Sequence, residues 1–126
     1  MKTSLFNDTI ENIRAAADII RDGGLVAFPT ETVYGLGADA LNSEAARKVY
    51  AAKGRPSDNP MIVHIAETSE LAKLTDDISS DMRALMDAFW PGPMTMIVRR
   101  KDIVPDVTTG GLDTVGVRLP SSEVAR

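Results

Sequence analysis

Met61-Ile62-Val63-His64-Ile65-Ala66 is a short apolar run preceded by Pro56 and Pro60 and followed by the polar Glu67-Thr68-Ser69. A run of that length between turn signals reads as a strand. Helical patterning lies on both sides of it. Upstream, Ser43 caps a helix that ends at Gly54, with Ala46, Val49 and Tyr50 facing inward. Downstream, Thr68 to Leu74 holds a short helix. Ser79 or Ser80 then caps a longer one, in which Met82, Leu85, Met86 and Phe89 form a core stripe until Trp90-Pro91-Gly92-Pro93 stops it. Further out, Asp8 with Glu11 has the spacing of a capping box, and Ile10, Ile13, Ala17 and Ile20 share one helical face up to Gly23-Gly24. Leu25 to Phe28 reads as a buried strand closed by Pro29, with Thr30-Glu31-Thr32 as a strand-end loop. Met94 to Arg100 is a strand, Lys101 to Asp113 a long polar loop, and Val115 to Leu119 a final strand. Strands alternate with helices, so residues 1–126 are expected to form a single α/β domain, with sheet direction left open.

Composition narrows the chemistry. The chain has 126 residues, 44% hydrophobic and 25% charged, which is ordinary for a globular domain and long enough for one core. There is no cysteine and one histidine, so thiolate nucleophiles, disulfides, cysteine zinc sites and multi-histidine metal sites are excluded. No run approaches the roughly 20 apolar residues of a membrane span, and the N-terminus has no apolar signal core. The expected compartment is cytoplasmic, with no membrane partner. Net charge is −4, which argues against a general nucleic-acid coat. Arg47, Lys48, Lys53 and Arg55 nevertheless gather in residues 42 to 66, which points to a local anion site.

Each candidate element has two readings. Gly35-Leu36-Gly37-Ala38-Asp39-Ala40 matches a dinucleotide-binding fingerprint, but it does not join a strand directly to a helix. A tight turn with close backbone packing is expected there instead. In Lys53-Gly54-Arg55-Pro56-Ser57-Asp58-Asn59-Pro60, a lysine point charge and an arginine fork on a stiff turn suit a phosphate, or else they complement a helix dipole. Thr30, Glu31, Thr32 and Tyr34 lie past a strand end, where α/β sheets place ligand loops, or they form an ordinary turn. His64 shares a strand face with Ile62 and Ala66 and reads more readily as structural. Arg118, in an otherwise apolar strand, needs an anion, which is either a structural carboxylate or a ligand. Arg99-Arg100-Lys101 reads as a solvated strand end.

Together, Pro29-Thr30-Glu31-Thr32-Val33-Tyr34-Gly35-Leu36, Lys53-Gly54-Arg55-Pro56 with Asn59-Pro60, Ile62-Val63-His64-Ile65, Trp90-Pro91-Gly92-Pro93-Met94-Thr95 and Val115-Gly116-Val117-Arg118-Leu119-Pro120 resemble the YrdC-like threonylcarbamoyl-AMP synthases, in the family's order. The resemblance implies a twisted mixed sheet flanked by helices around a basic cavity. It implies synthesis of threonylcarbamoyl-AMP and pyrophosphate from L-threonine, bicarbonate (or carbon dioxide) and ATP. The product would pass to a tRNA-modifying transferase complex that forms threonylcarbamoyladenosine. By motif match, Thr32, His64 and Arg118 would contact threonine. Arg55, Asn59 and Thr114 would contact ATP, with Lys53 adding charge near its phosphates. Magnesium would arrive with the nucleotide, and the chain holds no metal of its own. The catalytic base is unassigned, with His64 a candidate. Direct tRNA contact, or an RNA-binding role without catalysis, is the rival reading.

Pro120-Ser121-Ser122-Glu123-Val124-Ala125-Arg126 reads as the start of a helix capped by Ser121 or Ser122. The family's Ser-x-Asn signature downstream of the Val-x-Arg-Leu-Pro strand is not within these residues. The expectation is therefore a domain truncated in its C-terminal part, or completed by a partner chain.

Overall fold

A computed structural model describes residues 2–126. Helix α1 (Ile10–Arg21) begins one residue later than the sequence suggested. Its cap is Thr9 rather than Asp8, because the Thr9 hydroxyl meets the Asn12 N–H at 3.3 Å while the Asn12 side chain bonds back to Asn7. Ile13, Ala17 and Ile20 are half-buried on the expected face, but Ile10 is exposed.

Strand β1 (Val26–Phe28) pairs antiparallel with β2 (Gly35–Gly37), an element the sequence reading did not resolve. This hairpin is half-buried, and Ala27 is exposed, so β1 is not the buried strand expected. The glycines of β2 make room for one ring. A Cβ on Gly37 would fall 2.5 Å from Phe28 Cε1. Close packing therefore explains Gly35-Leu36-Gly37, and no helix follows directly to make a dinucleotide turn.

Helix α2 (Ser43–Lys53) is capped by Asn42, not Ser43. Asn42 Oδ1 accepts from the N–H groups of Glu44 and Ala45 at 3.0 and 3.1 Å. The helix closes on Gly54 in the left-handed conformation, at φ +60°. Ala45, Ala46, Val49 and Tyr50 are buried.

The second sheet has the order β3 (Ile62–His64), β5 (Thr114–Arg118), β4 (Met96–Arg99), with β5 central, parallel to β3 and antiparallel to β4. The architecture is thus mixed α/β, as expected. The strand period of two assigns the faces. Val63, Met96, Val98, Val115 and Val117 point into the core with Leu71, Leu74, Met86, Trp90 and Val104. Ile62, His64, Ile97, Gly116 and Arg118 occupy the opposite face, where Ile62 and Ile97 remain largely exposed.

Thr68–Glu70 forms a 3-10 turn leading into α3 (Leu71–Leu74). Helix α4 (Ser80–Phe89) is capped by Ser79, whose hydroxyl accepts from the Met82 N–H. The expected stripe is narrower than the sequence suggested. Met86 is buried and Met82 half-buried, but Leu85 and Phe89 are exposed. The contact line runs through Met82, Met86 and Trp90 at four-residue spacing, which turns Leu85 and Phe89 outward.

Residues 101–113 are not the polar loop expected. They contain α5 (Asp106–Thr109), with Val104, Thr108 and Thr109 buried. The threonines bury because their hydroxyls find carbonyls: Thr108 Oγ1 donates to Ala40 O at 2.6 Å and Thr109 Oγ1 to Asp106 O at 3.3 Å. Arg100 and Lys101 are anchors rather than a solvated end. Arg100 donates to the carbonyls of Leu112 and Val104 and to Asp106, and Lys101 to Ala72 O and Asp76. The segment from Ser122 makes one hydrogen-bonded turn, with Ser122 Oγ accepting from Ala125 N–H. No helix among the described residues is long and apolar enough to cross a membrane.

Candidate functional site

The parallel register sets His64 directly beside Arg118 on the open face of the sheet. The β1–β2 hairpin reaches over this pair. Phe28 meets the His64 ring edge-to-face, with centroids 6.1 Å apart. The loop after β1 brings Glu31 and Thr32 to Arg118, 87 and 86 residues away in sequence. Arg118 Nη2 donates to Glu31 Oε1 and, at 3.4 Å, to Thr32 Oγ1. Thr30 Oγ1 donates to Val33 O at 2.6 Å, so the 3.1 Å contact between the two hydroxyls has Thr32 as donor. The result is a directed chain from Arg118 through Thr32 and Thr30 to a backbone carbonyl.

Arg118 therefore has the structural carboxylate that the sequence left open, and it is Glu31. The Arg118 side chain is 11% exposed and that of Glu31 19%. The guanidinium is only partly satisfied, since its buried Nε–H has no partner. Glu31 Oε2 accepts from the Ser121 N–H at 3.2 Å, and Ser122 Oγ donates to Pro29 O at 3.1 Å. Burial pushes the Glu31 carboxyl up, but the hydrogen bond and charge of Arg118, together with backbone hydrogen bonds from its own loop and from the Ser122 segment, outweigh it and leave Glu31 below its ordinary value. Surrounding protein desolvates the His64 ring even though the residue is exposed on the sheet face. That desolvation, reinforced by the Arg118 charge and only partly opposed by Glu31, lowers its pKa from 6.5. His64 is neutral at pH 7.

The second candidate group is less gathered. Arg55 turns back on its own loop, donating to Asn59 O, Asn59 Oδ1 and Pro60 O at 3.1, 2.9 and 2.6 Å. All three acceptors are neutral, so the loop is stiffened while the guanidinium charge stays uncompensated there. Lys53 is the exposed last residue of α2, and Thr114 opens β5 opposite Arg99. The structure thus joins Arg55 to Asn59 and gives neither a bond to Lys53 or Thr114. Burial raises the Tyr50 pKa; the Arg55 charge opposes this and the Asp58 charge adds to it. The Tyr50 hydroxyl donates to Val107 O at 2.9 Å, which ties α2 to α5 beside this loop. Among the described residues, no group of three or more His, Asp or Glu side chains gathers as a metal cage.

Residues 18–126 match the family model Sua5/YciO/YrdC, described as "Telomere recombination". The chain belongs to this family. It is 54% identical over 113 residues to the threonylcarbamoyl-AMP synthase of Pyrococcus abyssi and 51% identical over 114 residues to that of Bacillus subtilis. In both cases 90% of this chain and 33% of the relative are covered, so the chain spans about a third of their length. The crystal structure of P. abyssi Sua5 complexed with L-threonine superposes with a TM-score of 0.90 at 50% identity, covering 97% of this chain and 35% of that one. The sequence placed Glu31 in a candidate ligand loop but did not pair it with Arg118. The signal was present, since Glu31 is the one carboxylate in Pro29–Leu36 and a buried arginine requires one.

Proposed function

We propose that the whole protein makes threonylcarbamoyl-AMP and pyrophosphate from L-threonine, bicarbonate and ATP, for tRNA threonylcarbamoyladenosine formation in the cytoplasm. The observation that carries this reading is the convergence of Thr32, His64 and Arg118 from separate elements onto one solvent-accessible cluster. The names of the Pyrococcus and Bacillus relatives, and the threonine held by the P. abyssi neighbour, support it.

In this reading Arg118 takes the threonine carboxylate, which adds acceptors to a guanidinium whose Nε–H lacks one. Thr32 supplies a hydroxyl to the substrate, and neutral His64 is able to accept a proton from its amine. Bicarbonate gives carbon dioxide and hydroxide; the amine captures the carbon dioxide, and the proton it releases ends with the hydroxide as water. A carbamate oxygen then attacks the α-phosphorus of ATP, and pyrophosphate leaves. No protein nucleophile is required, so the absence of cysteine costs nothing. Arg55 and Lys53 contribute charge to the phosphates, with Asn59 and Thr114 as neutral contacts. Magnesium would neutralise phosphate charge when bound. With no metal cage among the described residues, the nucleotide's own oxygens would hold it. The product then passes to a tRNA-modifying transferase.

The test is pyrophosphate release from ATP by the whole protein, with threonine and bicarbonate each omitted in turn. Release that requires both is expected, and release indifferent to threonine would overturn the reading. Calorimetry on Arg118→Ala should show weakened threonine binding, and on Arg55→Ala weakened ATP binding.

A further inference from the structure

A guanidinium attracts any small carboxylate, so Arg118 alone cannot tell an amino acid from a hydroxy acid. The structure sets an opposite charge beside it. Glu31 Oε1 accepts from Arg118 and Oε2 from the Ser121 N–H, and each oxygen keeps lone-pair capacity for one more donor. Its side chain is 19% exposed, so a ligand can reach it. Arg118 and Glu31 sum to no net charge, and the third titratable neighbour, His64, is neutral at pH 7. A cation and an anion held side by side complement a zwitterion. For a lone carboxylate the same pair is a poor host, because the resident anion competes for the guanidinium.

We propose that Glu31 is a specificity-determining residue that reads the amino group of the amino-acid substrate while Arg118 takes its carboxylate. The proposal rests on the threonine reading above and adds a residue and a selection rule to it. The ion pair is then more than a brace for the loop. It is half of the recognition surface, and it selects against substrates that lack the amine.

The experiment compares L-threonine with 3-hydroxybutyrate, which is threonine without its amino group, by ligand-observed NMR titration of the whole protein and its Glu31→Gln variant. The amide keeps an oxygen for Arg118 and the side-chain shape, and a thermal melt of each protein checks folding. In the wild type, threonine should bind more tightly than 3-hydroxybutyrate. In Glu31→Gln, threonine affinity should fall about tenfold to a hundredfold, the scale of one lost hydrogen bond to a charged group. Affinity for 3-hydroxybutyrate should hold or rise, because Arg118 no longer shares its charge. Equal loss for both ligands would mean that Glu31 only braces the site, and the proposal falls. It also falls if neither affinity changes, or if 3-hydroxybutyrate binds neither protein. Wild-type protein that fails to bind threonine at all would overturn the underlying reading instead. If Glu31→Gln does not fold, Glu31→Asp replaces it. That variant keeps the charge but shortens its reach, and it should weaken threonine while leaving 3-hydroxybutyrate no tighter than in the wild type. Equal change for both ligands would again sink the proposal.

Discussion

Gly110 ties the packing of α5 to the loop that holds Arg55, and substituting it separates two kinds of strain. Its φ is +62°, where any side chain costs about 1 kcal/mol. A Cβ there would also fall 2.9 Å from Asp58 O and 3.1 Å from Asp58 C, both backbone atoms that cannot rotate away. Gly54 and Gly111 have φ of +60° and +83° with nothing within 4 Å of the same atom. Gly54→Ala and Gly111→Ala therefore carry the dihedral penalty alone, about 1 kcal/mol each. Gly110→Ala adds an overpacking cost of about 1–3 kcal/mol, for a total of roughly 2–4. Urea denaturation at constant m value measures the difference. The clash bears on Asp58, next to the Asn59 that anchors Arg55, so Gly110→Ala should also weaken ATP binding and leave threonine binding alone. Equal destabilisation by Gly54→Ala and Gly110→Ala would refute the reasoning.

Arg100→Met removes three hydrogen bonds from a side chain that is 18% exposed; a loss of about 1.5–3 kcal/mol is expected. Hydrogen exchange should quicken across residues 104–112 and not in β3, and unchanged exchange in 104–112 would contradict the anchor. His64 has a folded-state pKa below its ordinary value of 6.5, so the unfolded chain takes up the proton first. Its contribution is therefore full above about pH 6.5 and is lost as pH falls toward the lower folded value. His64→Gln should flatten the fall of the urea midpoint below pH 6.5, and an unchanged profile would count against the desolvated ring.

The strands that matter most were legible. Val115-Gly116-Val117-Arg118-Leu119 alternates so that its valines enter the core while Gly116 and Arg118 share the other face, as period two requires. The left-handed stop at Gly54 was equally clear, because only glycine sits there without strain. The misplaced caps have local causes, and the other errors have long-range ones. Thr9 and Asn42 took over as caps from neighbours of nearly equal propensity, a choice made by which oxygen reaches the third N–H. Residues 101–113 looked polar, and propensity gives no warning that Thr108 will bury its hydroxyl on Ala40, 68 residues away. The Glu31–Arg118 pair is a contact of the same long-range kind. Sequence named the need for a carboxylate but not which one answered it, because that depends on the hairpin folding over the sheet.

The bracket from Glu31 to Ser121 also bears on the order of events during synthesis. Pairing β4 with β5 closes a short stretch of chain, but bringing residue 31 to residues 118 and 121 closes loops of 87 and 90 residues. Contacts of such sequence separation form late, after local structure has reduced the entropy of closure. On a ribosome, the charged cluster cannot assemble until β5 and Ser121 have emerged. A nascent chain therefore carries Glu31 without its Arg118 and Ser121 partners until those two residues have emerged.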